Sequence, residues 1–465
     1  MSMNHSTDSF MFRSFEAHSR IFHKSNLADY FMISSGTNQF PMPQIWKESI
    51  CKELETDFLY RWYTDSHGFQ CITSAIKVYE DYLSGSGLNN FAYSRRQVCM
   101  TTGGCGAASA VFEYLKTAYD RCRVILVGMN YSLYERIAKE YHFPIQELRC
   151  TDNLDALPTP EDFRQMGQCE EKSVFVFSIP NNPTGESYSV AHFTEIVAEI
   201  KKRSGFIILD QVCNLIISKR PLPLLEPVIT LHKYWHSCAV VNSFSKTDST
   251  AGLRLGYVYG EDHMIRLCAD LNARTVMNPP TFPAFPIVLT CLFRCLYLSN
   301  LYGLPELNEQ FKRRFRNIFF ITSAVIPPSM KDYAEKVFAH LDYCYQWYVD
   351  ELLQNEAIMC KNYDATCDIF RPYIRKVSKL DGSFNFCVWF HQDFRMDELA
   401  LIEQLIDRTG VAILTESSFS LKTVHDKSFF IRFSTACGQV AYGAALQRLK
   451  AFLESEGFAF EKHTN

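Results

Sequence analysis

Asn242-Ser-Phe-Ser-Lys-Thr-Asp-Ser-Thr-Ala-Gly-Leu-Arg-Leu-Gly256 is the stretch on which the reading of this chain turns. Lys246 follows two small hydroxyl residues, Ser243 and Ser245, and precedes by eight positions Arg254, which stands in a glycine-bracketed turn. An amine so placed can condense with an aldehyde as a Schiff base, while Ser243, Ser245 and Arg254 are suited to hold a phosphate of the same molecule. A Ser-x-Ser-Lys string alone is weak, because most lysines are solvated surface charges. Two upstream segments strengthen it. Ser178-Ile-Pro-Asn-Asn-Pro-Thr-Gly185 follows the apolar run Val174-Phe-Val-Phe177, so it reads as a loop at the carboxyl end of a buried strand, with Asn182 offering a side-chain amide. Phe206-Ile-Ile-Leu-Asp210 reads as another buried strand, ending on a carboxylate where ligand crevices form in open α/β sheets. Taken by itself Asp210 reads more readily as a helix cap or loop acid.

The bulk composition is that of an ordinary globular protein. The chain has 465 residues, 47% hydrophobic and 21% charged, with a formal net charge of −4. That charge gives no reason to expect nucleic acid or an anionic membrane as partner. No apolar run reaches 18 residues and no basic-apolar-small leader is expected. The 17 cysteines are scattered, without a CxxC pair or a His/Cys cluster, so no metal site is expected. Reduced, mostly buried thiols in a cytoplasmic setting are the reading.

Along the chain, residues 1 to about 30 read as a polar arm with at most a short helix. From there to about 330, candidate strands at 98–102, 124–128, 174–180, 206–210, 239–244 and 255–259 alternate with candidate helices at 105–119, 132–142, 190–203 and 262–272. That alternation predicts a mainly parallel sheet with crossover helices. The last third opens with an amphipathic stretch, about 334–355, followed by two apolar strand-like runs, 384–390 and 429–434. These predict a smaller α+β lobe.

Together the three motifs, and the separations from Asn182 to Asp210, Lys246 and Arg254, resemble the fold-type I, class I/II family of pyridoxal-phosphate (PLP) aminotransferases. The resemblance implies an α/β fold, a mainly parallel seven-stranded sheet sandwiched by helices, with a smaller α+β domain. Residues 1–60 would form an arm and a small-domain segment, 61–330 the large cofactor domain, and 331–465 the small C-terminal domain. It also implies roles. Lys246 would bind PLP and Asp210 would keep the ring nitrogen protonated, while Tyr131, in Met129-Asn-Tyr-Ser-Leu-Tyr134, would stack on the ring. The backbone amides of Gly104, Cys105 and Gly106, opening a helix after a strand, would join Ser243, Ser245 and Arg254 at the phosphate. Tyr63 would reach the phosphate from a neighbouring subunit, which implies a homodimer with composite sites. Arg432 would grip the substrate carboxylate as a bidentate fork, with the backbone of Gly36 close by and Asn182 between cofactor and substrate. Blander readings stand beside these: a tight glycine turn, packed aromatics at Tyr131 and Tyr63, an arginine paired with a strand-end acid, and a simple loop glycine at Gly36.

The chain departs from that family in places. Three residues after the strand-end acid the common pattern has a tyrosine that bonds the cofactor's O3′. Here Cys213 takes its place, and a thiol is shorter and a weaker donor. The usual proline-glycine turn before the last strands is altered to Thr415-Glu-Ser-Ser418, and an insertion falls at about 296–332. Its Lys312, Arg313, Arg314 and Arg316 fit a solvated helix, dimer packing, or a basic cover over the site mouth. Arg274 lies near an arginine that dicarboxylate-specific relatives use, but the spacing to Asn278-Pro-Pro280 is a residue short.

The function implied is an amino-acid aminotransferase. Lys246 would hold the cofactor and then move a proton from substrate Cα to cofactor C4′, with an amino acid and an oxo acid as substrates. The alternative is the same start with the Cα carbanion diverted to β/γ-elimination or replacement, cyclisation or oxidation. A regulatory protein using the fold without catalysis is disfavoured by the retained Lys246, Asp210 and Arg432.

Overall fold

The structure is a computed structural model that describes residues 10–19, 30–85, 96–151, 156–167, 169–321, 324–391, 397–421 and 430–456. In chain order the strands are β1 Phe31–Met32, β2 Arg96–Thr102, β3 Cys122–Val127, β4 Ile145–Leu148, β5 Lys172–Ser178, β6 Phe206–Asp210, β7 Cys238–Ser243 and β8 Leu255–Glu261. The last third adds β9 Ile374–Val377, β10 Asn385–Phe390, β11 Val411–Ala412, β12 Leu414–Thr415 and β13 Phe430–Ser434. Among the described residues seven strands form the large sheet, in the order β2-β8-β7-β6-β5-β3-β4. All its pairings are parallel except those of β8, which runs against both β2 and β7. The expected mainly parallel α/β sheet is what the chain builds.

The central strands are near-continuous apolar runs because both faces are covered. Phe175, Phe177, Ile207 and Leu209 pack on one side with the helices Gln70–Leu83, Val190–Lys202 and Phe285–Leu301. Val174, Val176, Phe206 and Ile208 pack on the other with the helices Gly103–Ala118, Leu133–Glu140 and Asp262–Thr275. Strand β4 was not among the expected strands; it is an edge strand, Ile-Gln-Glu-Leu, with Gln146 exposed.

The amphipathic stretch expected at 334–355 is two helices, Pro328–Ala339 and Leu341–Phe370, separated at His340. Of the N-terminal arm, a helix Phe10–Ser19 is described and packs on the helix Glu398–Thr409. The insertion at 296–332 contains the helix Asn308–Ile321. Its Phe311, Phe315 and Phe319 recur at a four-residue spacing and are fully buried against the helices Gln70–Leu83 and Phe285–Leu301. Of its basic face, Lys312 pairs with Glu309 and Asp342 and Arg316 with Glu335.

The second sheet has the order β12-β13-β10-β9 and is antiparallel. Side chains alternate across a strand. Ile431 and Phe433 of β13 enter the core under the helices Glu398–Thr409 and Gln439–Ser455, so Arg432 between them faces the large sheet. Phe429, included in the expected run, lies outside the described residues.

Candidate active site

The cavity forms where the parallel strands end. Ser178 closes β5, Asp210 closes β6 and Ser243 closes β7, side by side at one edge of the sheet. The reversal of β8 returns the chain to that edge: Ser243 faces Gly256, and Thr102 faces Leu255. Arg254, immediately before β8, therefore stands beside the start of the helix that follows Thr102. One cavity is lined by Gly36, Gly104, Cys105, Tyr131, Asn182, Asp210, Cys213, Ser243, Ser245, Lys246, Arg254 and Arg432, residues that lie almost 400 positions apart in sequence.

Lys246 is half-buried there, and its amine has no hydrogen-bond or ion-pair partner among the described residues. Burial pushes the amine below its ordinary value, and the guanidinium groups of Arg432 and Arg254 act in the same direction. Asp210 is buried, which raises its carboxyl above the ordinary range against three opposing contacts. Its Oδ1 accepts from the Val212 N–H at 3.0 Å, its Oδ2 from the Tyr134 hydroxyl at 2.8 Å, and the Lys246 charge also favours the anion. Each oxygen keeps acceptor capacity. Cys213 is buried with its back to Phe40, Leu215 and Phe384, and burial pushes its thiol up to about 11. It stays a neutral S–H at ordinary pH.

The end of the cavity expected to take the phosphate combines backbone amides with the side chains of Ser243, Ser245 and Arg254. The helix Gly103–Ala118 opens at the cavity, and the first N–H groups of any helix lack intrahelical acceptors. Gly103 N donates to Arg254 O at 2.8 Å, leaving the amides of the next residues open. Two glycines are required. Gly103 has φ +70°, and a Cβ there would stand 2.8 Å from Arg254 Nη2; a Cβ on Gly256 would fall 2.2 Å from the Gly103 carbonyl carbon. Gly106 is not in the cavity lining and faces Thr101 and Thr102.

At the opposite end Arg432 is 2% exposed, and burial pulls its guanidinium down to about 10. Among the described residues no carboxylate pairs with it. Nη1 donates to Asn182 Oδ1 at 2.7 Å, Nη2 donates to Ser34 O, and Nε has no partner among the described residues. The bond to Oδ1 leaves the Asn182 amide nitrogen free for the cavity. The Phe419 ring covers the guanidinium at 4.8 Å. Phe419 O accepts from Asn130 N at 2.9 Å, and its loop is tied to β4: Glu147 Oε2 accepts from Ser420 Oγ and Leu421 N, and Arg149 pairs with Glu416. The N-terminal segment is stitched to the same place, since Gly36 N donates to Ser434 Oγ at 3.0 Å and Leu414 N to Ser34 Oγ at 2.9 Å.

Two expected contributors lie outside this cavity. Tyr63 is 83% exposed and lines a separate recess with Trp62, Thr102 and Pro279. Arg274 is exposed and bonds Glu113 at 3.3 Å. None of the described residues from 296 to 332 lines the cavity. Conversely, sequence reading missed Tyr134, Phe419, Ser35, Ser178 and Leu133. Tyr134 stands in the same quoted segment as Tyr131, but on the first turn of the helix Leu133–Glu140, which Tyr131 precedes.

The donor set fits PLP. An unbonded amine suits the aldehyde, and a buried carboxylate with spare acceptor capacity suits a ring N–H. Open helix amides, two hydroxyls and a guanidinium suit a phosphate dianion. Fold and cavity thus define a fold-type I PLP enzyme, and comparison with known proteins agrees. The model of the family "Aminotransferase class I and II" matches residues 28–448, and the chain belongs to that family, whose members are PLP-dependent transferases of nitrogenous groups. It is 23% identical to the human kynurenine–oxoglutarate transaminase 1 over 267 residues, which span 54% of this chain and 60% of that protein. It is 21% identical to an asparagine–oxo-acid transaminase of Streptococcus mutans over 93% of each chain. The structure of an aminotransferase from Mycobacterium tuberculosis superposes with a TM-score of 0.68 at 19% identity, over 98% of this chain and 99% of that one.

Proposed function

We propose that this protein is an amino-acid aminotransferase in which Lys246, Asp210 and Arg432 act on one bound amino acid. The observation that carries this is the single cavity in which the Lys246 amine, the buried Asp210 carboxylate, the buried Arg432 guanidinium, without a carboxylate partner among the described residues, and the phosphate-binding donors converge. Bound PLP supplies an aldehyde that ties the substrate nitrogen and a ring that takes up the electron pair left at Cα. Asp210 holds the proton on the ring nitrogen, and Tyr134 and Val212 hold Asp210 in its charged form. Tyr131 covers the ring face. Arg432, with the Gly36 backbone beside it, fixes the substrate carboxylate, and Asn182 turns its free amide toward the cavity. Lys246 is driven toward the neutral amine by burial, so it is suited to take the proton from Cα and return it at C4′.

The reading extends to the assembly. A second copy seated over the recess at Trp62 and Tyr63 would bring each Tyr63 to its partner's phosphate end, in a homodimer. The three-part division at about residues 60 and 330 is supported by the two separate sheets and by the pairing of β1 with β11, while Trp46 and Tyr348, assigned to the outer parts, pack in the core of the large sheet. All 17 cysteines are free, which supports a cytoplasmic setting. No helix among the described residues is long and apolar enough to cross a membrane.

One observation favours the alternative chemistry: Cys213 gives the cavity a neutral thiol where a phenol is usual. Incubation of the PLP-loaded protein with each ¹⁵N-labelled amino acid and a panel of α-oxo acids separates the two. Transfer of label to an oxo acid is the expected result. Label released as ammonia, or oxygen consumed, overturns transamination in favour of elimination or oxidation.

A further inference from the structure

The loop that carries Lys246 rests on a buried charge network for which the chemistry above has no role. Asp248 stands two residues beyond Lys246 and is fully buried; its Oδ2 accepts from Arg294 Nη2 at 2.5 Å. Thr247 Oγ1 donates to the same oxygen at 2.7 Å and accepts from Arg294 Nη2 at 2.5 Å. The Tyr348 hydroxyl donates to Asp248 Oδ1 at 2.5 Å. The Arg294 guanidinium also lies 5.4 Å from the centre of the Phe244 ring and 5.7 Å from that of Tyr79. A single cation therefore meets the residues two before, one after and two after the lysine. From the other side Asn38 Nδ2 donates to the carbonyl of Lys246 itself at 2.8 Å.

Stability alone does not account for ions at this place. A buried ion pair is often replaceable by apolar groups of similar volume at no loss, whereas one partner left alone is costly. What the ions add is direction: three donors converge on one carboxylate and admit a single arrangement of the chain around it. Only the backbone of Lys246 is fixed this way, but its flexible side chain has to reach substrate Cα and cofactor C4′ in turn. The arms of the network are spread through the molecule. Arg294 comes from the helix Phe285–Leu301 and Tyr348 from the helix Leu341–Phe370. Further along the second helix, Asn362 Nδ2 donates to the carbonyls of Thr435 and Cys437, just beyond the strand of Arg432. The lysine loop and the carboxylate-binding strand are thus held by one rod.

We propose that Asp248, clamped by Arg294 and Tyr348, is a positioning residue that sets the reach of the Lys246 amine. The inference rests on Lys246 being the group that binds the cofactor and moves the proton. Two variants test it: Tyr348→Phe, which removes one donor and leaves the ion pair, and the combined change Asp248→Leu with Arg294→Met, which removes both charges. For each PLP-loaded variant the melting temperature, kcat, KM and the midpoint of the absorbance-versus-pH titration are compared with the parent. The expected result for Tyr348→Phe is a folded protein with kcat lowered ~10-fold, KM within about twofold and a displaced midpoint, since small misplacements of a reacting group act on the rate. The combined variant should lose ~100-fold in kcat with the same split. Unchanged kcat and midpoint in Tyr348→Phe, even with a lowered melting temperature, overturn the proposal and leave the network as packing. That outcome does not depend on whether the combined variant folds. Borohydride reduction of the parent, with mass-spectrometric location of the pyridoxyl group, tests the underlying reading. A group fixed on another lysine overturns both, and is visible before any variant is made.

Discussion

The two ends of the cavity are made differently. At the proposed phosphate end open helix amides are joined by the side chains of Ser243, Ser245 and Arg254, on a loop whose ends, Ser243 and Gly256, are paired across two strands. At the proposed carboxylate end the contributors are side chains and borrowed loops: Arg432 from β13, Asn182 from the loop after β5, Ser34 and Gly36 from the N-terminal segment, Phe419 from a loop tied to β4. Backbone donors survive most substitutions, because they belong to the fold. Side-chain donors do not. In the proposed function the first end meets a constant partner, the cofactor, and the second a variable one, the substrate.

The sharpest way to break this comparison lies between the two ends. Lys246→Ala should remove the borohydride-fixed pyridoxyl group and lower turnover by ~10²–10⁴-fold or more, the range for a lost acid-base group. Retained fixation at another site, seen by mass spectrometry, would remove the lysine from its central place. Asp210→Asn should retain cofactor, because the phosphate end is intact, and lower kcat by roughly 10²–10³-fold by withdrawing charge from the ring nitrogen. Near-normal kcat with full cofactor occupancy would show that the carboxylate serves the fold alone.

Arg432→Lys separates the ends directly. It exchanges a planar fork for a point charge, and the charge-assisted bonds at stake are worth about 1.5–3 kcal/mol each, so KM should rise about 10- to 100-fold. The cofactor's absorbance spectrum without substrate should stay that of the parent; a changed spectrum would mean that the two ends are not independent. The smallest effect is expected for Tyr134→Phe. Its hydroxyl donates to the charged form of Asp210 and so opposes the upward push of burial. Without it the carboxyl takes up its proton at a higher pH, and the acid limb of the kcat-versus-pH profile should move upward by up to ~1 unit, with a few-fold loss near neutrality. A limb that moves down, or not at all, would remove Tyr134 from the control of Asp210.

The contrast also explains what was legible in the sequence. The phosphate end could be read because its parts are short contiguous strings set at strand ends: Gly104 and Cys105 in one, Ser243 to Arg254 in another. Central strands such as Phe206–Asp210 announce themselves as apolar runs, whereas β4, polar on one side at the sheet's edge, does not. Arg432 and Gly36 came only through resemblance, and the structure brings them together by stitching Ile33 and Ser34 to β13 and β12. Phe419 carried no signal: its place over Arg432 depends on Glu147, 272 positions away, holding the following residues Ser420 and Leu421. The aromatic stripe of Phe311, Phe315 and Phe319 was obscured by the charges interleaved with it, which occupy the opposite face.

Gly36 has a consequence for anyone who would redesign this enzyme. Its φ is +63°, and a Cβ there would sit 3.0 Å from Arg432 Nη2, so the main chain itself forms the floor beneath the guanidinium. That floor cannot be raised by mutation without tilting the arginine off its anchor. The depth at which a carboxylate seats is therefore fixed, and a library aimed at new substrates gains nothing from sampling position 36. The adjustable walls are Ser35 and Leu133, which line the same cavity without holding Arg432, and a change of substrate range should be sought there first.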